Sequence, residues 1–449
     1  MEATQALAAW AASLDIDQMP DQVRTQCKNL LIDALACAIA GHAGEETSQV
    51  AAFTQSLAPG NGTSILGGGN DASLVGGVLL NSYLITAVTM CDAHRATLTH
   101  ITPEVVPPAL AIAERDNLSG SSLLAALAAG FEVTTRIGIG LDFPSFRARG
   151  FHGPGILGPF GAAATAGRLL NLDSTTIARS FGLSGSQAAG TFAAWGTPTV
   201  KFHQCRGAIS GLMAALLAQQ GFIANLDFLT RPDGGLYAAY TDVGYPEKVV
   251  ADLGKRWELD QIALRPWPSA AAIQGLITAL FDLQQQQTTP FSDIQSVHIA
   301  LGQRAFDMHG NFARYNGKFE AMLSAHYAAA AVLTDQELTL RQFDQDRYEH
   351  PDLVRFAAER IQVVLDTTLP GPASIVQVHM KDGETLKARC DHTLGSPENP
   401  MSTEQVEGKF RYYATPLLGE AKVFRTLELI KTLEDLPSVR PLLTALRTA

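Results

Sequence analysis

Apolar residues recur at helical spacing through most of the first 260 positions. Over residues 23–39, Val23, Cys27, Leu30, Leu31 and Ala34 fall on one face of a helix. Residues 74–90, 107–114, 121–137 and 209–220 repeat the pattern. Breaks are expected at Gly67-Gly68-Gly69-Asn70 and Arg231-Pro232-Asp233-Gly234-Gly235. Few segments of this region alternate with period two. Further on, residues 294–301 and 374–380 do alternate and are rich in β-branched side chains. Lys381-Asp382-Gly383 followed by residues 384–390 predicts a hairpin with Asp-Gly as its turn. Helical stretches lie between, at 320–333 and 350–361, and helices return after Gly395-Ser396-Pro397-Glu398-Asn399-Pro400. The expected fold is mainly α. Residues 1–264 and 396–449 form a large all-helical domain from both ends of the chain, with a smaller α+β domain inserted over 265–395.

Composition narrows the function classes. The chain has 449 residues, too many for one simple core, and only 17% are charged, which suits a compact enzyme with much buried surface. Alanine blocks at 162–164 and 328–331 favour close-packed helices. A net charge of −11 argues against nucleic acid, whose phosphates require a basic face. It leaves room for a small anionic substrate, because a few converging cations make a local positive pocket. Cys27, Cys37, Cys91, Cys205 and Cys390 are odd in number and lack CxxC pairing, which reads as reduced thiols in a cytoplasm. No basic n-region opens the chain, and no run of about 18 apolar residues lacks polar interruption, so neither a signal peptide nor a membrane span is expected.

Three segments concentrate chemistry. Asp92-Ala93-His94-Arg95-Ala96-Thr97-Leu98-Thr99-His100 follows an apolar helix and holds an acid, an arginine and two histidines, a set suited to anion binding and proton transfer or to a polar capping loop. Gly150-Phe151-His152-Gly153-Pro154-Gly155-Ile156-Leu157-Gly158 contains a formal G-x-G-x-x-G, but no buried strand precedes it, so dinucleotide binding is rejected. A Gly-rich helix start is left, either presenting His152 and backbone N–H groups to a ligand or serving close packing alone. Lys201, His203 and Arg206 lie just ahead of the predicted helix at 209 and read as a carboxylate cradle or a solvated basic turn. Arg265-Pro266-Trp267-Pro268, at the presumed domain junction, and Arg314-Tyr315 are weaker candidates. Asp92, His94 and His100 lack any zinc motif, and no GxSxG elbow appears, so neither a metal nor a serine nucleophile is expected.

Four long segments carry a resemblance. CDAHRATLTHITPEVVPPALAIAE, GFHGPGILGPFGAAATAGRLLNLD, VKFHQCRGAISGLMAALLAQQGFIA and GSPENPMSTEQVEGKFR are similar, in this order, to segments of the MmgE/PrpD family, over nearly the whole chain. The resemblance implies a helical domain from both termini, a smaller α+β domain and a homodimer. It also implies chemistry like that of 2-methylcitrate dehydratase, cis-aconitate decarboxylase and iminodisuccinate epimerase, each written as proton movement beside a carboxylate without metal or cofactor. By motif position, Asp92, His100, His152 and Lys201 correspond to the family's active-site acid, histidines and lysine, and Tyr315 to its tyrosine. His94, Arg95 and His203 sit in the same motifs and, with Arg265, are expected to bind substrate. There are departures: Cys91 replaces the first Asp of the family's pair, Ile101-Thr102 follows His100, and the 265–274 segment ends on Gln274 without the family's histidine.

The expected protein is a metal-independent lyase acting on a small di- or tricarboxylate. A dicarboxylate epimerase and an inactive carboxylate-binding member are the alternatives.

Overall fold

The structure is a computed structural model that describes residues 2–286 and 291–448. It is mainly helical, as the apolar period predicts, and divides into two compact units: Met1–Ala263 with Ser402–Ala449, and Leu264–Met401.

The first unit is built on helices α1 (Asp21–Ala40), α2 (Leu74–Thr86), α3 (Thr102–Arg115), α4 (Gly120–Ile139), α5 (Gly153–Leu169) and α6 (Thr199–Gln219). Helix α5 is the hub and packs against α3, α4 and α6. Its glycines permit the close approach. A Cβ on Gly155 would stand 2.1 Å from the Ala189 carbonyl oxygen, and one on Gly158 would stand 2.0 Å from the Glu104 carboxyl carbon. Helix α6 begins ten residues before its apolar pattern does, so Lys201, His203 and Arg206 lie inside its first turns and not ahead of them. Near the C-terminus, helix Thr403–Leu418 packs on α1, where Lys409 Nζ meets Asp33 Oδ1 at 2.6 Å and the Met90 carbonyl at 3.0 Å. Among the described residues α4 alone is long and apolar enough to cross a membrane. However, 89% of its apolar window is buried inside the protein, and it carries the buried pair Glu132 and Arg136. All five cysteines are buried.

The second unit holds a four-stranded sheet of order β2-β1-β3-β4, with β1 at Ile294–Leu301, β2 at Ile361–Leu365, β3 at Ser374–Met380 and β4 at Thr385–Cys390. β3 and β4 form the expected hairpin, with Gly383 at φ +95° in its turn. Alternate residues of β3, from Ser374 to Met380, are buried. β2 runs parallel to β1 and corrects the helix expected over 350–361: that helix spans Pro351–Glu359, and Ile361 already belongs to the strand. The helix expected over 320–333 is likewise two, Lys318–Leu323 and Ala325–Asp335, parted at Ser324, whose hydroxyl caps the second.

Candidate active site

The 92–100 segment is a tight loop at the head of α3. Ala93 and His94 pair antiparallel with Ile262 and Ala263, and His94 N–H donates to the Thr99 carbonyl at 2.8 Å. The fully buried Asp92 carboxylate accepts the backbone N–H of Ile101 at 2.8 Å and of Thr102 at 3.0 Å, together with the Thr102 hydroxyl. It therefore caps α3 from outside the helix. Burial pushes this carboxyl above its ordinary range, and the hydrogen bonds from Thr102 and Ile101 work against that rise.

The Asp92 carbonyl oxygen lies 2.7 Å from His100 Nδ1. A carbonyl can only accept, so Nδ1 carries a proton. His94 is fully buried: its Nδ1 is 2.8 Å from the Thr97 hydroxyl, and its Nε2 is 3.5 Å from Glu258 Oε1. That last separation permits charge attraction but makes no hydrogen bond. His94 thus braces the loop against Glu258. Arg95, beside it, is partly exposed.

His152 occupies the N-cap position of α5, and its backbone N–H donates to the Gly190 carbonyl at 3.1 Å. Its Nδ1 lies 2.8 Å from His203 Nδ1 on α6. Two imidazole nitrogens at that distance share a single proton, one ring donating and the other accepting. Gly190, at φ +143°, lets the loop lie on the His203 ring, since a Cβ there would stand 3.1 Å from Nδ1. Phe192 packs edge-on against His152, stacks on Trp195 and carries the Arg147 guanidinium 3.4 Å from its ring centre. Burial above all, then His203, His100 and Arg147, holds His152 well below the ordinary imidazole range. Burial, then Arg206, lowers His203 as well.

The basic cluster expected from the 201–206 segment does not converge. Positions 201 and 203 leave a helix about 160° apart. Lys201 is buried and its Nζ lies 3.0 Å from Glu46 Oε2, whereas His203 turns to His152. Arg206 is committed to backbone carbonyls, those of Gly155 at 3.0 Å, Ala189 at 2.7 Å and Gln187. It clamps the strap 187–189 onto the head of α5. Sequence adjacency gathered three basic residues that the helix sends to three sets of partners.

Three residues of this region were not singled out in the sequence. Glu46 and Tyr83 hold Lys201, and neither carries a local signal. Glu104 carried one, as an acid inside the apolar run ITPEVVPPALAIA. It is fully buried and neither of its carboxyl oxygens has a hydrogen-bond partner. Burial, then the charge of Asp92, drives its pKa far above the ordinary value, so the group holds its proton. Among the described residues no three His, Cys, Asp or Glu side chains converge to hold a metal ion.

Arg265 and Tyr315 belong to the second unit. The Arg265 guanidinium is buried and donates to the Ser269 carbonyl at 3.1 Å. Gln274 holds the same carbonyl and that of Trp267, each at 3.1 Å. Tyr315 sits edge-on to Tyr327, its buried hydroxyl has no hydrogen-bond partner, and it lines a cavity of about 1190 Å³ with Arg314, Tyr348 and Arg355.

Comparison with known proteins also divides the chain in two, but its second part extends beyond Met401 into the helices that return to the first unit. The MmgE/PrpD N-terminal domain matches residues 5–247, and the MmgE/PrpD C-terminal domain matches residues 267–435. The chain is 28% identical over 470 residues to a cis-aconitate decarboxylase of Aspergillus terreus, covering 99% of this chain and 95% of that protein. It is 27% identical over 463 residues to the cis-aconitate decarboxylase of Homo sapiens, covering 99% and 94%.

Proposed function

We propose that this chain, which belongs to the MmgE/PrpD family, is a lyase that moves a proton at a carbon beside a carboxylate of a small di- or tricarboxylate, without metal or cofactor. Its full-length relatives are named cis-aconitate decarboxylases, so cis-aconitate is the first substrate to offer.

The His152–His203 pair carries the reading. Two rings linked Nδ1 to Nδ1, both lowered in pKa by burial, are neutral near pH 7, so that at Nε2 one ring can take a proton and the other can give one. In a decarboxylation the bond to the departing carboxylate breaks, CO₂ leaves, the electron pair stays in the carbon framework, and that carbon takes a proton from a histidine N–H, which solvent then replaces. His100, held at Nδ1 by the Asp92 carbonyl, is the second candidate for that transfer. Lys201 is assigned to a substrate carboxylate, where a fixed cation stabilises the charge that develops.

Gln274 favours decarboxylation over dehydration. Expelling hydroxide calls for an acid, and the 265–274 segment offers an amide committed to two carbonyls where the family has a histidine. The same observation keeps epimerisation as the second reading, because it too expels no hydroxide. A homodimer belongs to the proposal, and light scattering would test it.

Proton NMR in D₂O tests the reaction, with chelator-treated protein offered cis-aconitate, then citrate, 2-methylcitrate, malate, aspartate and iminodisuccinate. A new alkene signal from cis-aconitate supports the lyase. Deuterium entering an α-carbon without any other new product supports the epimerase. Turnover that appears only once zinc is restored rejects the metal-free chemistry, and silence across the panel with or without metal favours a carboxylate-binding protein.

A further inference from the structure

We propose that Glu46 is the positioning residue for Lys201: its carboxylate, pinned by Tyr83, fixes the ammonium in the place where it receives a substrate carboxylate. The inference rests on the assignment of Lys201 to substrate made above.

Three remote segments meet on one oxygen. Glu46 immediately precedes helix Thr47–Leu57, Tyr83 lies in α2 and Lys201 in the first turn of α6. Lys201 Nζ stands 3.0 Å from Glu46 Oε2, and the Tyr83 hydroxyl donates to that same Oε2 at 2.5 Å. This is no solvated surface pair: the Lys201 side chain is 7% exposed and that of Glu46 17%. A lysine has a flexible four-carbon stem, and its charge acts at a defined point only if something holds the stem. Tyr83 supplies the rigidity, since its ring is buried and its hydroxyl leaves the carboxylate little freedom to turn. Burial raises the Glu46 carboxyl, but Lys201 and Tyr83 more than offset this, leaving it below the ordinary carboxylate value and therefore charged. Glu46 needs no contact with substrate, and its influence passes through Lys201.

Glu46→Gln keeps the shape and removes the charge. It is expected to lower kcat on cis-aconitate roughly tenfold, with KM rising less than kcat falls. Calorimetry with tricarballylate, a saturated tricarboxylate, is run on wild type, Glu46→Gln, Lys201→Ala and the double variant. Glu46→Gln should weaken binding about fivefold in the wild-type background and less than about twofold beside Lys201→Ala. Equal weakening in both backgrounds, or wild-type kinetics in Glu46→Gln, overturns the proposal. Wild-type turnover by Lys201→Ala rejects the assignment of Lys201 itself, and the role of Glu46 falls with it. An inactive Lys201→Ala beside an unaffected Glu46→Gln rejects only Glu46. Should Glu46→Gln fail to fold, Tyr83→Phe removes one donor and keeps the ion pair. A kcat loss of about two- to threefold is then expected, and unchanged kinetics overturn the proposal.

Discussion

Glu132 on α4 and Glu104 on α3 are both fully buried, on helices that pack against each other, and their surroundings differ. Glu132 takes Arg136 Nε at 2.5 Å and the backbone N–H groups of Glu258 at 2.9 Å and Leu259 at 3.0 Å. Arg136 spends its remaining donors on the carbonyls of Val249, Ala251 and Arg256. Every charge there has partners, and the pair stitches α4 to the 249–259 segment. The Glu104 carboxyl makes no hydrogen bond and lies against Gly158 and Gly207, on the two helices whose first turns carry His152 and His203. A saturated buried pair serves structure, because removing one member strands the other. A lone buried acid adds nothing of that kind and becomes a stored proton whose energy depends on pH.

Three variants press on that contrast. Arg136→Ala leaves Glu132 buried without its cation and is expected to cost about 3–5 kcal/mol of stability, read by urea denaturation. A loss below about 1 kcal/mol would mean that the pair is dispensable. Glu104→Gln has a smaller effect of a different shape. Its folded pKa is raised, so above about pH 4.3 the unfolded chain ionises while the folded one keeps its proton, and stability falls as pH rises toward the folded value. The variant should escape this, its advantage growing by up to about 1.4 kcal/mol per pH unit within that window. Denaturation curves at pH 5 to 8 that stay parallel to wild type would contradict it.

The smallest effect belongs to the histidine pair. Both are lowered, so the unfolded chain takes up protons first as pH drops below about 6.5, and stability declines from there toward the folded values. His203→Asn should blunt that decline below about pH 6.5. An unchanged acid profile would show that the pair is not held neutral.

The same contrast explains what could be read in advance. The alternation over 294–301 and 374–380 and the apolar period over 23–39 produced elements where expected, because burial imposes its period on neighbouring residues. The head of α6 escaped detection because KFHQCR looks polar, yet its partners are Glu46, His152 and the carbonyls of 155, 187 and 189, all remote in sequence. Strand Ile361–Leu365, whose first residue falls at the end of the helix expected over 350–361, has no sequence signal because a half-exposed parallel strand lacks clean alternation. Motifs drew attention to His100, His152, Lys201 and His203, but not to which of them meet. Nothing in the turn around Glu46 or the apolar run around Tyr83 announces their convergence on Lys201, which exists only once three helices pack.

The central claim is that the His152–His203 pair moves the proton. Its most direct test is the rate of deuterium incorporation from D₂O during cis-aconitate turnover, in wild type and in His152→Gln, with melting temperature checked alongside. The account predicts incorporation by wild type and a loss of roughly thousandfold in a variant that folds normally. Incorporation by His152→Gln at the wild-type rate would contradict it.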